Sequence, residues 1–149
     1  MSRVRVPSLA ELLGDYMQDS VGMNFSWEGA NCCHFAAGWV ERATGRNPMA
    51  GLPRTTSALQ AQRLIQDLGG SLQAAWTRQL EREPIAPAFA QLGDVVLLPL
   101  RLESGGPIFT GQIVGVCMGA YAVVMSSDGF HVFLQMSAAV AAWPLRDRA

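Results

Sequence analysis

The sequence contains no lysine, and its eleven basic residues are all arginines scattered along the chain. Twelve acidic residues leave a formal net charge of -1, so the basic excess that neutralises phosphates is missing and no nucleic-acid partner is expected. Charged residues make up only 15% of the chain, against about 25% in typical soluble domains. This low charge predicts that partner proteins cover much of the surface.

Long apolar runs are also missing. No stretch approaches the roughly 20 consecutive apolar residues that a membrane-spanning helix needs. The segment Met1 to Ala10 has two arginines but no following apolar run of signal length. The sequence therefore predicts a soluble, unprocessed chain without a membrane span.

Cysteine is scarce: there are three, and two of them are the neighbours Cys32 and Cys33. An odd number with one adjacent pair does not make a disulfide framework, which favours a reducing cytoplasm as the site of folding. Zinc sites prefer two-residue spacers between thiols, and Cys117 is the only further thiol. We therefore expect no metal and no cofactor, and we expect Cys117 to lie in the core.

The 149 residues suit one domain, with a helical half over about 8–82 and a strand half over about 92–143. Apolar spacing and capping residues predict four helices. The first is capped by Ser8 with Glu11 completing a capping box, the second by Asn31 with Gly45 as its end, the third by Thr55 or Thr56 with Gly69 and Gly70 as its end, and the fourth by Ser71. We expect the loop from Arg46 to Thr56 to be extended and dependent on a partner.

Beyond a proline-rich connector at 83–87 the pattern changes to strands. They are predicted at 93–98, 108–118, 121–125 and 130–134, with turns at 104–107 and 126–129, and the tail 137–143 is either a short helix or an extended segment. Helices followed by antiparallel strands predict an α+β fold, with the N-terminal helices packed on one face of a small meander or barrel.

Cys32 and Cys33 would lie in the first turn of the second helix, where unpaired N–H groups stabilise a thiolate. A nucleophilic cysteine also needs a base. His34 projects away from both thiols on a helix, and His131 is either that base or a polar strand residue facing solvent. The alternative is structural, because free cysteines are often buried and Cys33 suits the core face of the helix.

The order of several short motifs resembles the NlpC-like branch of the papain-like cysteine peptidases, which cleave peptidoglycan stem peptides. The motifs are Phe25-Ser26-Trp27, then Asn31-Cys32-Cys33-His34-Phe35, then Gly93-Asp94-Val95-Val96 before a strand meander. A closer likeness is to compact proteins of this fold from phage and prophage tail modules, carried by Thr44-Gly45-Arg46-Asn47-Pro48 and Ala142-Trp143. The resemblance spans about Leu9 to Trp143 and implies a papain-like, NlpC-type fold.

The resemblance also implies roles for individual residues. Cys32 falls on the nucleophile position, with Asn31 in place of the usual Asp. The family strand His-Val-Gly-Ile-Tyr matches Ile113-Val114-Gly115-Val116-Cys117, so Ile113 stands where the general base belongs, and Met125 matches the orienting polar residue. Neither side chain can accept a proton, so the resemblance implies the fold without the peptidase activity.

Two functions from different classes remain open. The first is a non-catalytic structural protein of a phage tail tip or baseplate, bound to the tail hub in three copies and located in the virion after synthesis in the bacterial cytoplasm. The second is a peptidoglycan-cleaving cysteine peptidase or amidase that acts during genome delivery, with Cys32 as nucleophile and His131 as base. A weaker third hypothesis is a ligand groove lined by Trp27 and Tyr121.

Overall fold

A computed structural model describes residues 8–21, 31–53, 57–99, 112–125 and 131–145, and within these ranges the helices precede the strands. The helices are α1 (Leu9–Ser20), α2 (Asn31–Thr44), α3 (Ala58–Leu68) and α4 (Leu72–Leu80), and the strands are β1 (Val95–Pro99), β2 (Gln112–Cys117), β3 (Tyr121–Met125), β4 (His131–Gln135) and β5 (Ala141–Trp143). Short 3-10 turns occupy Pro87–Phe89 and Met136–Ala138. The tail predicted as helix or strand contains one of each.

Serine side chains cap three of the helices, because a hydroxyl oxygen can accept one of the N–H groups that the first turn leaves unpaired. Ser8 accepts from Glu11 N and Ser71 from Ala74 N, as predicted. The prediction for α3 was wrong by one or two residues: its cap is Ser57, which accepts from Gln60 N. The prediction for α2 was wrong by one residue, because Asn31 is already helical.

Glycines in the left-handed region end two helices where the sequence predicts. Gly45, with φ 86°, follows α2, and its N–H bonds to Glu41 O at 2.7 Å. Gly70, with φ 96°, bonds to Ile65 O at 3.0 Å after α3. A residue without a Cβ takes this conformation at little cost, so the chain can reverse direction and begin the next element.

The strands form one antiparallel sheet in the order β4-β3-β2-β1-β5. Residues 95–98 of β1 are fully buried, as expected for a central strand, whereas β4 lies at one edge and is mostly exposed. The helix α2 packs on β2 and β3, α1 packs on α2, and α4 contacts β5. This arrangement confirms the predicted α+β fold with N-terminal helices on a small antiparallel sheet.

The loop after α2 differs from its prediction. Residues 47–52 form turns, with Ala50 N bonded to Asn47 O and Leu52 N to Met49 O. The side chain of Gln79 in α4 donates to Pro48 O at 2.7 Å. The segment up to residue 53 is therefore turned and bonded to α4, so the expectation of an extended segment was wrong, while its dependence on a partner stays a prediction.

Several predicted features lie outside the described residues: the Phe25-Ser26-Trp27 motif, Thr55 and Thr56, and the turns at 104–107 and 126–129. No helix in the described part of the chain is long and apolar enough to cross a membrane.

Candidate functional site

The cysteine pair lies in the first turn of α2, against the central strands. Cys32 is 7% exposed and Cys33 is 4% exposed, and both belong to the hydrophobic core. His34, the residue directly after Cys33, is exposed, as its position on the helix predicts. The expectation that Cys33 turns into the core is therefore confirmed, and Cys32 is buried as well.

Hydrogen-bond donors surround the Cys32 sulfur. The Cys33 thiol is the strongest influence and lowers the pKa of Cys32; burial acts in the opposite direction, and the backbone N–H groups of Val114, Cys33 and Cys32 itself lower it further. The net pKa of Cys32 is lowered although the residue is buried. A helix start provides such donors because its first N–H groups have no partner within the helix.

The divergence of two strands makes the Val114 N–H available to Cys32. The strand β3 pairs with β2 only at Val116 and Cys117, whereas β1 follows β2 along the whole strand. Within β2, Val114 lies beyond the β3 pairing, opposite Leu97 of β1. The Val114 N–H therefore faces the gap where β3 separates from β2. The Cys32 sulfur, at the start of α2, reaches this N–H there.

The Cys33 thiol has the opposite character. Its pKa is raised well above the ordinary value, first by hydrogen bonding to Cys32, then by burial and by the charge that Cys32 carries when ionised. A hydrogen bond with the Trp76 side chain lowers the pKa only in part. Of the two thiols, Cys32 is therefore the one that ionises first, with the Cys33 thiol hydrogen-bonded to it.

His131 is half-buried and interacts with α1 and α2. Its Nε2 lies 2.8 Å from Ser20 Oγ, and its ring packs on Phe35 with centroids 5.5 Å apart. The Ser20 hydroxyl also donates to Met17 O at 3.1 Å. The Ser20 hydroxyl has one hydrogen, so both contacts form together when His131 Nε2–H donates to Ser20 Oγ. In this arrangement Nε2 holds β4 against α1 and does not accept a proton. Burial lowers the pKa of His131.

The positions that the resemblance assigns to the base and its orienting residue are both buried. Ile113 on β2 is 5% exposed and lies opposite Leu98, and Met125 on β3 is 1% exposed and lies opposite His131. His131 is on β4, so β3 stands between it and β2, a separation of about 10 Å for two strand spacings. The sheet order thus places His131 next to the orienting position and not at the base position.

The remaining candidates have structural surroundings. Cys117 is fully buried in β2, which confirms its predicted place in the core. Tyr121 is 51% exposed at the start of β3, and Trp27 lies outside the described residues. No group of three or more His, Cys, Asp or Glu residues suited to a metal ion occurs in the part of the chain that the structure describes.

Sequence reasoning missed two partners of the site. Ser20 is fully buried although it ends an exposed-looking helix, and Trp76 reaches Cys33 from α4. A serine at the last position of α1 carries no local signal for a histidine 111 residues away. The spacing of Leu72, Ala75 and Trp76 places them on the buried face of α4, but a helical period gives no information about which residue Trp76 meets.

This combination, a cysteine at the start of a buried helix packed on a small antiparallel sheet, defines a chain with the fold of the NlpC/p60 domains. The solved crystal structure of the NlpC/p60 domain of the peptidoglycan hydrolase SagA is similar with a TM-score of 0.52, covering 93% of this chain and 99% of that one. Identity is 15%, so this likeness concerns the fold, and it confirms the NlpC-like prediction. The chain belongs to the family described as "Domain of unknown function (DUF6950)", whose model matches residues 4–145. Comparison with the curated proteins gives no match.

Proposed function

We propose that this chain is a non-catalytic, NlpC-like structural subunit of a phage tail tip or baseplate. In this proposal it binds other tail-hub proteins in three copies and resides in the virion. The observation that carries the non-catalytic part is the burial of Ile113 and Met125 at the positions matched to the base and its orienting residue. General acid–base catalysis contributes about 100- to 10,000-fold to such reactions, and neither side chain can supply it.

The contacts of His131 support the same conclusion. Its Nε2 is engaged with Ser20, and its ring packs on Phe35. A replacement base would have to face the Cys32 sulfur, which instead contacts Cys33 and the Val114 N–H. A cysteine peptidase with His131 as base would therefore need a rearrangement of β4 relative to α1.

An exposed apolar edge supports the assembly role. The sheet ends at β4, where Val132 is 38% exposed and Phe133 is 54% exposed, and Tyr121 on β3 is 51% exposed. Edge strands with apolar side chains are normally covered or charged in proteins that remain alone. With only 15% charged residues in the chain, this edge suits a permanent contact with another protein.

One observation favours the second candidate, a peptidoglycan-cleaving cysteine peptidase or amidase. The lowered pKa of Cys32 at a helix start is the state that a nucleophile requires. The similar SagA domain comes from a peptidoglycan hydrolase. In this alternative Cys32 attacks a stem-peptide amide, and the chain contacts peptidoglycan directly.

Particle complementation separates the two candidates. A lysogen that lacks the gene is complemented with the wild-type chain, with Cys32→Ala or with Phe133→Glu, and infectious particles are counted after induction. For a structural subunit we expect Cys32→Ala to restore wild-type titre with the chain present in purified particles, and Phe133→Glu to lower the titre at least about tenfold, since a buried charge costs more than 1.4 kcal/mol at an interface.

Loss of infectivity in Cys32→Ala particles that still contain the chain at the wild-type amount would contradict the non-catalytic proposal. Absence of the wild-type chain from purified particles would contradict the structural role. A solution assay adds an independent result: we expect no Cys32-dependent release of stem peptides from purified peptidoglycan, measured against the same amount of the Cys32→Ala variant.

A further inference from the structure

Cys33 is a second buried thiol at the site, and neither candidate function uses it. The Cys32 and Cys33 sulfurs lie 4.0 Å apart, and a disulfide bond is about 2.05 Å long, so the two atoms must approach by about 2 Å to bond. Neither Cys32 nor Cys33 takes part in a disulfide bond in this structure. Two neighbouring thiols that already touch suit a two-step oxidation in which the second thiol captures the product of the first.

We propose that Cys32 and Cys33 form a peroxide-reactive dithiol, in which Cys32 is oxidised and Cys33 then closes a reversible vicinal disulfide. The Cys32 thiolate attacks one oxygen of hydrogen peroxide, the O–O bond breaks, and the second oxygen leaves as water after taking a proton from the solvent. Cys32 is now a sulfenic acid. The Cys33 sulfur attacks the Cys32 sulfur, the S–O bond breaks, and the hydroxide leaves as a second water with the Cys33 proton.

The surroundings of the two sulfurs assign the two roles. Cys32 contacts the backbone N–H groups of Val114 and of its own turn, which stabilise negative charge on sulfur. Its pKa is lowered and that of Cys33 is raised. The thiolate is the nucleophile toward peroxides, so Cys32 reacts first. Oxidation of Cys32 to the uncharged sulfenic acid removes the hydrogen bond to the thiolate and its charge, two of the three causes that raise the pKa of Cys33, while burial continues to raise it.

The backbone at this place tolerates the closure. Helix α2 begins at Asn31, so the N–H groups of Cys32 and Cys33 belong to the first turn and have no carbonyl within the helix to bond. Rotation of the peptide between the two cysteines therefore costs the Cys33 N–H no bond within the helix, and the one helical bond that it puts at risk is the bond that the Cys32 carbonyl accepts from the N–H four residues later. The same adjacency in the middle of a helix would disrupt the hydrogen bonds on both sides.

A small apolar crevice opens onto Cys33 from the side of α3 and α4, and the Cys32 sulfur lies 4.0 Å beyond the Cys33 sulfur. Its lining includes Cys33, Met49, Leu52 and Trp76, and its volume is about 30 Å³. That space suits a molecule of the size of water or hydrogen peroxide. Hydrogen peroxide can therefore enter beside Cys33, where a bulky thiol reagent does not fit.

The experiment treats the native protein with hydrogen peroxide, blocks free thiols and measures the tryptic peptide that runs from residue 6 to residue 42. This peptide lies between Arg5 and Arg42 and contains Cys32 and Cys33 but not Cys117. We expect its mass to fall by about 2 Da and to return on treatment with dithiothreitol. The variants Cys33→Ala and Cys33→Ser both remove the thiol that would attack oxidised Cys32. Two substitutions are used so that the test still works if one of the variant proteins does not fold.

In both Cys33 variants we expect a gain of about 32 Da at residue 32, the mass of the sulfinic acid, that resists dithiothreitol; fragmentation separates it from sulfoxides of Met17 and Met23, which add about 16 Da each to the same peptide. Sulfinic acid forming as fast in the wild-type chain as in the variants would overturn the proposal. So would an unreacted peptide, a bond to Cys117 or to a second molecule, or a disulfide that forms only in the guanidinium-unfolded chain.

Discussion

At the residue scale, Gly115 shows how closely two strands of the sheet approach. A Cβ added to it would lie 2.5 Å from Val123 O and 2.6 Å from a Val124 side-chain carbon. The backbone oxygen belongs to β3 and cannot move away without breaking the sheet. We predict that Gly115→Ala lowers the free energy of unfolding by about 1–3 kcal/mol, the usual cost of overpacking, as measured by urea denaturation.

Gly14→Ala is the matched control for this prediction. Gly14 is in α1, and an added Cβ there would meet no atom within 4 Å. The substitution removes freedom from the unfolded chain and favours the helix, so we expect a gain of about 0.5–1 kcal/mol in stability. Equal losses of unfolding free energy in Gly14→Ala and Gly115→Ala would show that the close approach of β3 to Gly115 does not cause the destabilisation.

Tyr16 gives a prediction about alkaline pH. Its hydroxyl donates to Phe35 O at 2.6 Å, and burial, opposed by Arg42, raises the pKa of Tyr16 from 10.0 to about 12. The folded state therefore holds this proton more tightly than the unfolded state. Its contribution to stability is complete below pH 10 and is lost as the pH rises from 10 through about 12.

We expect Tyr16→Phe to cost about 1 kcal/mol at neutral pH, the net value of one hydrogen bond. Because the variant lacks the proton, its stability should fall less than that of the wild type between pH 10 and 12. Urea denaturation at several pH values measures both effects. Parallel curves for the two proteins would mean that Tyr16 ionises equally in the folded and unfolded chains.

At the element scale, His131 connects the edge strand β4 to the C-terminal end of α1. Burial lowers the pKa of His131 below its ordinary value of 6.5, so the folded state resists protonation. The unfolded chain binds the proton first as the pH falls, and stability that is present above pH 6.5 is lost below it. The added proton goes to Nδ1 and leaves the Nε2–H donation to Ser20 in place, so the loss of stability comes from charging a partly buried ring.

We therefore predict that acidification below pH 6.5 loosens β4 before the central strands. Amide hydrogen exchange should show earlier loss of protection in residues 131–135 than in 95–98. The variant His131→Gln keeps a hydrogen-bonding group but does not titrate, so its β4 protection should be independent of pH over this range. Identical pH dependence in both proteins would assign the effect to other groups.

At the scale of the whole molecule, the helical and strand halves share one core. Trp39 on α2 donates to Gly93 O at 2.8 Å, and Trp143 on β5 donates to Thr77 Oγ1 of α4 at 3.1 Å. Both indole rings are fully buried. Neither half can cover its apolar face without the other, which is the physical basis for expecting a single domain over residues 1–149.

We predict that the two halves unfold in one transition. Far-UV circular dichroism, dominated by the helices, and tryptophan fluorescence should give the same denaturation midpoint in urea. Trp39→Phe, which loses the bond to Gly93 and some volume, should lower both midpoints together. Two separated transitions in the wild-type chain would contradict the single-domain prediction.

The helix ends that were predicted correctly are determined by residues close to them in the sequence. Ser8 and Ser71 cap their helices, and Gly45 and Gly70 end theirs, because a cap needs only a hydroxyl within three residues and an end needs only a residue without a Cβ. The third cap was misplaced because three consecutive hydroxyl residues precede α3. Each of the three hydroxyl groups could cap the helix, so capping chemistry alone does not determine which one does. The packing of α3 determines where the helix begins.

The features of the candidate site likewise fall into those set by nearby residues and those set by tertiary contacts. The sequence by itself determined the α+β fold, the start of α2 at the cysteine pair, and the apolar character of Ile113 and Met125, since capping, periodicity and side-chain chemistry are local. Tertiary structure decided that the Cys32 sulfur meets the Val114 N–H and that His131 binds Ser20. These contacts depend on strand register and on the placement of helices against the sheet, which are set by the whole core and not by neighbouring residues.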